Sequence, residues 1–150
     1  MAQAHATPHK ATTKGTKSTK TPTAAPRWVH GKVYWNELMT HNVDSAKAFY
    51  RTTLGWNFEP MPMDDGTYWI IKAHDEMVGG IFEMKDPAMK SMPEQWVAYI
   101  AVDDIDARLA KAVAAGARVM KEPFEIKSVG RTAFLKEPGG AMICWITPSA

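Results

Sequence analysis

The strongest limit on architecture is a repeat: Trp35 stands 61 residues before Trp96, Gly55 before Gly116 and Gly79 before Gly140, which points to an internal duplication. Each copy opens with a strand-like run, Lys32–Thr40 (KVYWNELMT) and Trp96–Val102 (WVAYIAV). Each then shows helical spacing. Asn42 caps a helix with apolar residues at Val43, Ala46, Phe49, Tyr50 and Leu54 that stops at Gly55. Asp103 or Asp104 caps one with Ile105, Leu109, Ala112 and Val113 that stops at Gly116.

Three further strand-like runs follow each helix. They are 56–61, 67–73 and 77–84 in the first copy, and 117–121, 131–136 and 141–147 in the second. Turns are expected at Asp64-Asp65-Gly66, His74-Asp75-Glu76, Ser128-Val129-Gly130 and Pro138-Gly139-Gly140. The sequence therefore predicts an α+β domain of two βαβββ modules. Module one covers about 31–85 and module two about 96–148, joined by a Pro-punctuated linker over 86–95. Each four-stranded unit buries one face under its own helix. Set side by side, the two make a curved, cup-like mixed sheet with a free concave face.

Charge divides the chain differently. Residues 1–27 hold five basic side chains and no acid, leaving 13 basic residues against all 16 acids in the remainder, so the folded part sits near −3. Rich in Thr, Lys, Ala and Pro, and with no Val, Ile, Leu, Phe, Trp or Tyr up to residue 27, 1–28 reads as a disordered solubility tail ahead of one domain at 29–150. Its charges are too dispersed, and too free of aromatics, to suggest a nucleic-acid partner. No apolar run approaches the ~20 residues of a spanning helix, so no membrane partner is expected and a cytoplasmic location is the expectation. The single cysteine, Cys144, removes disulfide scaffolds and zinc fingers. No GxSxG, GxxxxGK or GxGxxG run is present.

Ala46-Lys47-Ala48-Phe49-Tyr50 with Leu54-Gly55-Trp56, the run Val102-Asp103-Asp104-Ile105-Asp106-Ala107, and Leu135-Lys136-Glu137-Pro138-Gly139-Gly140-Ala141 occur in this order. Together they resemble the glyoxalase, bleomycin-resistance and extradiol-dioxygenase superfamily, the vicinal oxygen chelate proteins, over roughly residues 31–148. The resemblance implies the glyoxalase-like fold, frequent homodimers and, in catalytic members, a divalent metal held by His and Glu from the first and last strands of each module. Those first-strand positions fall on Trp35 and on Val97, or on Trp96 if the register slips by one. The last-strand positions fall near Glu83 and Cys144. Imidazoles are missing, so the expectation is a metal-poor branch with no cofactor; any divalent metal would involve Glu83. His5, His9, His30, His41 and His74 read as tail, surface or turn residues.

If Leu38 packs beneath the first helix, Trp35, Glu37 and Met39 point into the cup. A carboxylate among apolar strand residues needs a partner, such as Arg131 or Lys72, or a raised pKa; the latter makes Glu37 the candidate catalytic base. Ligand-contact candidates are Trp35, Met39, Trp69, Glu83, Trp96, Tyr99 and Phe134, the aromatics offering flat π faces, although core packing alone explains most of them. Gly79-Gly80 inside a strand pattern signals a bulge or a close approach, to a ligand or a partner subunit. The expected function is binding of a small apolar or aromatic molecule in the cup by a homodimeric protein. A metal-dependent lyase, isomerase or dioxygenase, or a drug-sequestering resistance protein, are the alternatives.

Overall fold

Two helix caps fix the framework. The Asn42 carboxamide accepts the Ser45 N–H (2.9 Å) at the start of helix α1 (Val43–Leu54), and the Asp104 carboxylate accepts the Ala107 N–H (3.0 Å) at the start of α2 (Ile105–Ala114). α1 ends at Gly55, whose φ of 69° is left-handed and lets its N–H reach back to Arg51 O. The structure, a computed structural model, describes residues 28–149. The expected basic tail lies outside the described residues.

Around the helices run eight strands. They are β1 (Val33–Thr40), β2 (Asn57–Met63), β3 (Gly66–Ala73), β4 (Glu76–Glu83), β5 (Gln95–Ala101), β6 (Arg118–Ile126), β7 (Gly130–Lys136) and β8 (Met142–Pro148). They form one curved mixed sheet in the order β2-β3-β4-β1-β5-β8-β7-β6. β1 pairs parallel with β4, β5 pairs parallel with β8, and the first strands of the two modules meet antiparallel at the centre, Trp35 opposite Tyr99 and Glu37 opposite Val97. This is the paired βαβββ architecture expected from the sequence.

The edges are blunted by proline. β2 carries Pro60 and Pro62 and pairs only with β3. β6 was expected to stop at Lys121 but continues to Ile126. It accommodates Pro123 because it is an edge strand whose pairing with β7 shifts register twice, between Val119 and Lys121 and again before Phe124.

Each helix covers the outer face of its own half. Val43 of α1 packs on Leu38, Ile71 and Ile81 of the sheet; Ile105, Leu109 and Ala112 of α2 pack with Val102, Ala133 and Leu135. The inner face gathers Met39, Met84, Val97, Tyr99, Cys144 and Ile146, with Trp35, Phe82, Phe134 and Met142 packed against them. The linker crosses this face as a strap. Its Pro87–Met89 turn and the residues after it bring Met89 and Met92 onto the inner cluster.

His41, expected as a bland surface residue, fastens that strap. Its ring nitrogens lie 3.2 Å from Met84 O and 3.0 Å from Met92 O, while Glu94 Oε1 accepts from Thr40 Oγ1 and from the His41 N–H, each at 3.0 Å. Both ring partners are carbonyls, which only accept, so a neutral imidazole can satisfy one of the two bonds and a doubly protonated ring both.

Candidate functional site

On β1 the alternation of a strand sends Leu38 under α1 and turns Trp35, Glu37 and Met39 to the concave side, as expected. Glu37 is 6% exposed and so is a buried acid on an apolar floor. Its partners are neither Arg131 nor Lys72, which engage Asp106 and Glu59. They are two phenols. Tyr99 donates its hydroxyl to Glu37 Oε1 (2.9 Å), and Tyr68, from β3, donates to the same carboxyl. Trp35 Nε1–H donates to the Tyr68 oxygen (2.9 Å), which leaves the Tyr68 proton free for Glu37.

Burial dominates the electrostatics. It pushes the Glu37 carboxyl up to about 7, against the downward pull of the Tyr99 and Tyr68 hydrogen bonds. The same burial, with the neighbouring Glu37 charge, drives Tyr68, Tyr99 and Cys144 above their ordinary ranges. Glu37 is thus poised to hold or release a proton near neutrality, whereas the Cys144 thiol stays protonated and unreactive.

The Gly79-Gly80 pair explains how Tyr68 reaches the acid. A methyl group at Gly80 would collide with the Tyr68 hydroxyl and ring, and one at Gly79 would lie 2.7 Å from Asn36 O. The pairing also shifts register here, between Ile71 and Lys72. The close approach belongs to Tyr68 and to the β1 backbone, within this chain.

Tyr99, Phe134, Trp35 and Met39 share the inner face with Glu37; Phe134 meets Tyr99 edge-on (5.9 Å) and stacks with Phe124 (6.3 Å). Three expected cup residues sit on the opposite side. Trp96 packs against Tyr50 and Trp56 beneath α1 and donates Nε1–H to Tyr50 Oη (2.9 Å). Trp69 lies under the Lys47 ammonium, 3.4 Å from the ring centroid. Glu83 pairs with Lys85 (2.9 Å).

The cause is a one-residue error in the repeat. The two N-caps, Asn42 and Asp104, are 62 residues apart, not 61, and in a strand a slip of one exchanges the faces. At an offset of 62, Cys144 corresponds to Phe82, and both lie inside. Tyr68, Phe82 and Phe124 were missed. The cap spacing was the signal that could have placed Phe82, and the glycine pair was the one that could have flagged Tyr68.

The donor set does not fit the divalent metal that the sequence resemblance implies for catalytic members. Trp35, Val97, Phe82 and Cys144 occupy the strand positions in question, and no group of three or more His, Cys, Asp or Glu converges among the described residues. Two hollows open at the helix N-termini. One of about 420 Å³ is lined by Asp103, Asp106, Glu125 and Arg131; one of about 310 Å³ by His41, Trp69, Glu83 and Lys85. Their charged walls are open to water, and neither contains the buried acid, so chemistry rather than volume singles out the inner face.

Two βαβββ modules sharing a sheet, with an acid-bearing concave face, define a glyoxalase-like protein. The chain belongs to the Glyoxalase/Bleomycin resistance protein/Dioxygenase superfamily, whose family model matches residues 32–145. It is similar to the CFP32 proteins of Mycobacterium bovis and Mycobacterium tuberculosis, named as glyoxylases (44% identical over 120 residues, 79% of this chain and 45% of theirs). It also resembles the anthracycline biosynthesis protein DauV of Streptomyces sp. (35% over 117 residues, 75% of this chain and 40% of that one). The chain thus spans about half the length of the curated relatives it matches. Among solved structures, methylmalonyl-CoA epimerase from Mycobacterium tuberculosis shares the fold (TM-score 0.58, 17% identity, 86% of this chain and 95% of that one). No helix among the described residues is long and apolar enough to cross a membrane.

Proposed function

We propose that this chain binds a small, flat apolar or aromatic molecule on the concave face, without a metal ion. The observation that carries this reading is the composition of that face: Trp35, Phe82, Tyr99, Phe134 and mobile thioethers surround one buried carboxyl, Glu37. Aromatic faces and thioethers suit a planar ligand, and a single central polar group fixes its orientation. Met89 and Met92 on the strap supply an adaptable roof. The name of the Streptomyces relative supports the size and shape of the ligand, because anthracyclines are polycyclic aromatics. Glu37, near its titration midpoint at neutral pH, is the group that would move a proton if turnover accompanies binding.

The reading includes a homodimer. Phe49, Leu54 and Trp96 are exposed aromatic and apolar residues on the outer face, and the curated relatives, of which the match covers only 45%, have length enough for a second copy. Sedimentation that returns only monomer at tens of micromolar would remove this part.

The test of binding is optical. Trp35 is on the concave face while Trp56, Trp69, Trp96 and Trp145 lie on the helix side. A polycyclic aromatic that enters the cup should quench tryptophan emission saturably, and Trp35→Phe should remove most of the response while keeping the fold. No saturable quenching across a panel of two- to four-ring compounds would refute the reading.

A further inference from the structure

Glu37 is a carboxyl buried without a counter-charge. The groups that face it come from three elements, Tyr68 on β3, Tyr99 on β5 and Cys144 on β8, and all are neutral acids. Among the described residues no ion pair reaches Glu37: Lys72 pairs with Glu59, Lys85 with Glu83, Arg108 with Asp103 and Arg131 with Asp106, while Lys121 lies over the Phe124 ring, 3.8 Å from its centroid. Two phenol donors steady an ionised carboxylate but do not neutralise it, and a buried charge of this kind is costly until a cation arrives.

The same surroundings suit a cation. Trp35, Tyr99, Phe134 and Phe82 present ring faces around the acid, and an ammonium group is attracted both to such faces and to the carboxylate. An anion placed beside Glu37 would instead meet a like charge.

We propose that the concave face selects ligands carrying a positively charged nitrogen, an aryl or aralkyl ammonium, with Glu37 as its counter-ion. This rests on the aromatic-binding reading above and adds the charge of the ligand. When the cation docks, Glu37 must be ionised, so a protonated carboxyl releases its proton to solvent. Binding therefore couples to pH. A permanently charged ligand should bind about tenfold more tightly at pH 8 than at pH 6, because the competing proton on Glu37 is lost over that interval.

The experiment compares two probes of one shape: a naphthyl-trimethylammonium ion and its tert-butylnaphthalene isostere, titrated against the full chain at pH 6, 7 and 8. The expected result is that the cation outbinds the isostere at least tenfold at pH 8, that this preference shrinks towards pH 6, and that the neutral probe shows no pH dependence. Calorimetry of the cation at pH 6 in two buffers of different ionisation enthalpy should show release of most of one proton. Glu37→Gln, checked for fold by circular dichroism, should abolish the preference; the pH profile of the unaltered protein makes the same test without a substitution. If the isostere binds as well as the cation at pH 8, the charge selection is wrong and the aromatic-binding reading stands. If neither probe binds, both fall.

Discussion

The two modules share a backbone plan and divide the work unequally. α2 buries Ile105, Leu109 and Ala112 in an aliphatic seat, whereas α1 buries only Val43 and rests on the rings of Tyr50, Trp56 and Trp96. On the inner face the asymmetry concerns polarity. Module one supplies Trp35, Glu37, Tyr68 and the glycine that admits Tyr68, while module two adds the Tyr99 hydroxyl to the acid's surroundings. At the position of Leu109, 62 residues earlier, stands Lys47; at the position of Met142 stands Gly80. In a duplicated fold one half can thus carry the buried acid and its strain while the other carries the packing.

The largest effect expected from this division is in module two. Leu109→Ala removes a side chain that is 6% exposed at the centre of the α2 seat, and should cost about 2–5 kcal/mol in denaturant-induced unfolding. A loss below ~1 kcal/mol would mean that the aliphatic seat is not the stabilising half.

Next comes the pH dependence of module one. The folded-state carboxyl of Glu37 titrates at about 7 against an ordinary 4.5, so between those values the folded protein keeps a proton that the unfolded chain has lost. Stability contributed by this group is complete below about 4.5 and falls as pH rises through about 7, by roughly 3 kcal/mol in all. Glu94, Asp103 and Glu137, held low by their hydrogen bonds, act in the opposite sense at the acid end, and they do so in wild type and variant alike. Subtracting the Glu37→Gln stability curve from that of the wild type should therefore leave the Glu37 contribution alone. A difference that does not change between pH 5 and pH 8 would show that the acid is not buried as described.

A smaller loss, about 1–3 kcal/mol, is expected for Gly80→Ala, because the new methyl must displace Tyr68. Tyr68 helps hold the Glu37 pKa down, so its displacement should also move the pH-dependent loss of stability upward. Met142→Ala in module two should leave that pH profile in place.

These residues also show what the sequence could reveal. Helices, caps and strand existence were legible because periodicity and capping chemistry are local, as Asn42 and Asp104 illustrate. Glu37 stood out because an acid amid apolar strand residues is costly wherever it faces inward. Register was not legible from the landmarks chosen. α2 is shorter than α1, and Gly140 lies in a turn whereas Gly79 lies in a strand, so residues 61 apart are not equivalent. One residue of error sent Trp96 and Glu83 to the wrong face. In β3, Trp69 and Tyr68 are adjacent aromatics with no local feature to say which faces in; that choice is made by Gly80, which is distant in sequence and leaves room for the Tyr68 ring alone.

The smallest expected effect tests the corrected register directly. Lys47 lays its ammonium over the Trp69 ring, and its side chain is 14% exposed, with the ion pair to Asp44 (3.4 Å) reaching water. Such a contact is worth about 0.5–1 kcal/mol. Lys47→Leu loses it but gains apolar contact with Trp69, the arrangement that Leu109 has in the other half, so unfolding free energy should change by less than about 1 kcal/mol. The reciprocal Leu109→Lys has no ring to receive the cation and should be as damaging as Leu109→Ala or worse. If Lys47→Leu unfolds the domain while a neighbouring α1 position tolerates leucine, the helices are not related by 62 residues, and the face assignments that place Phe82 inside and Glu83 outside lose their basis.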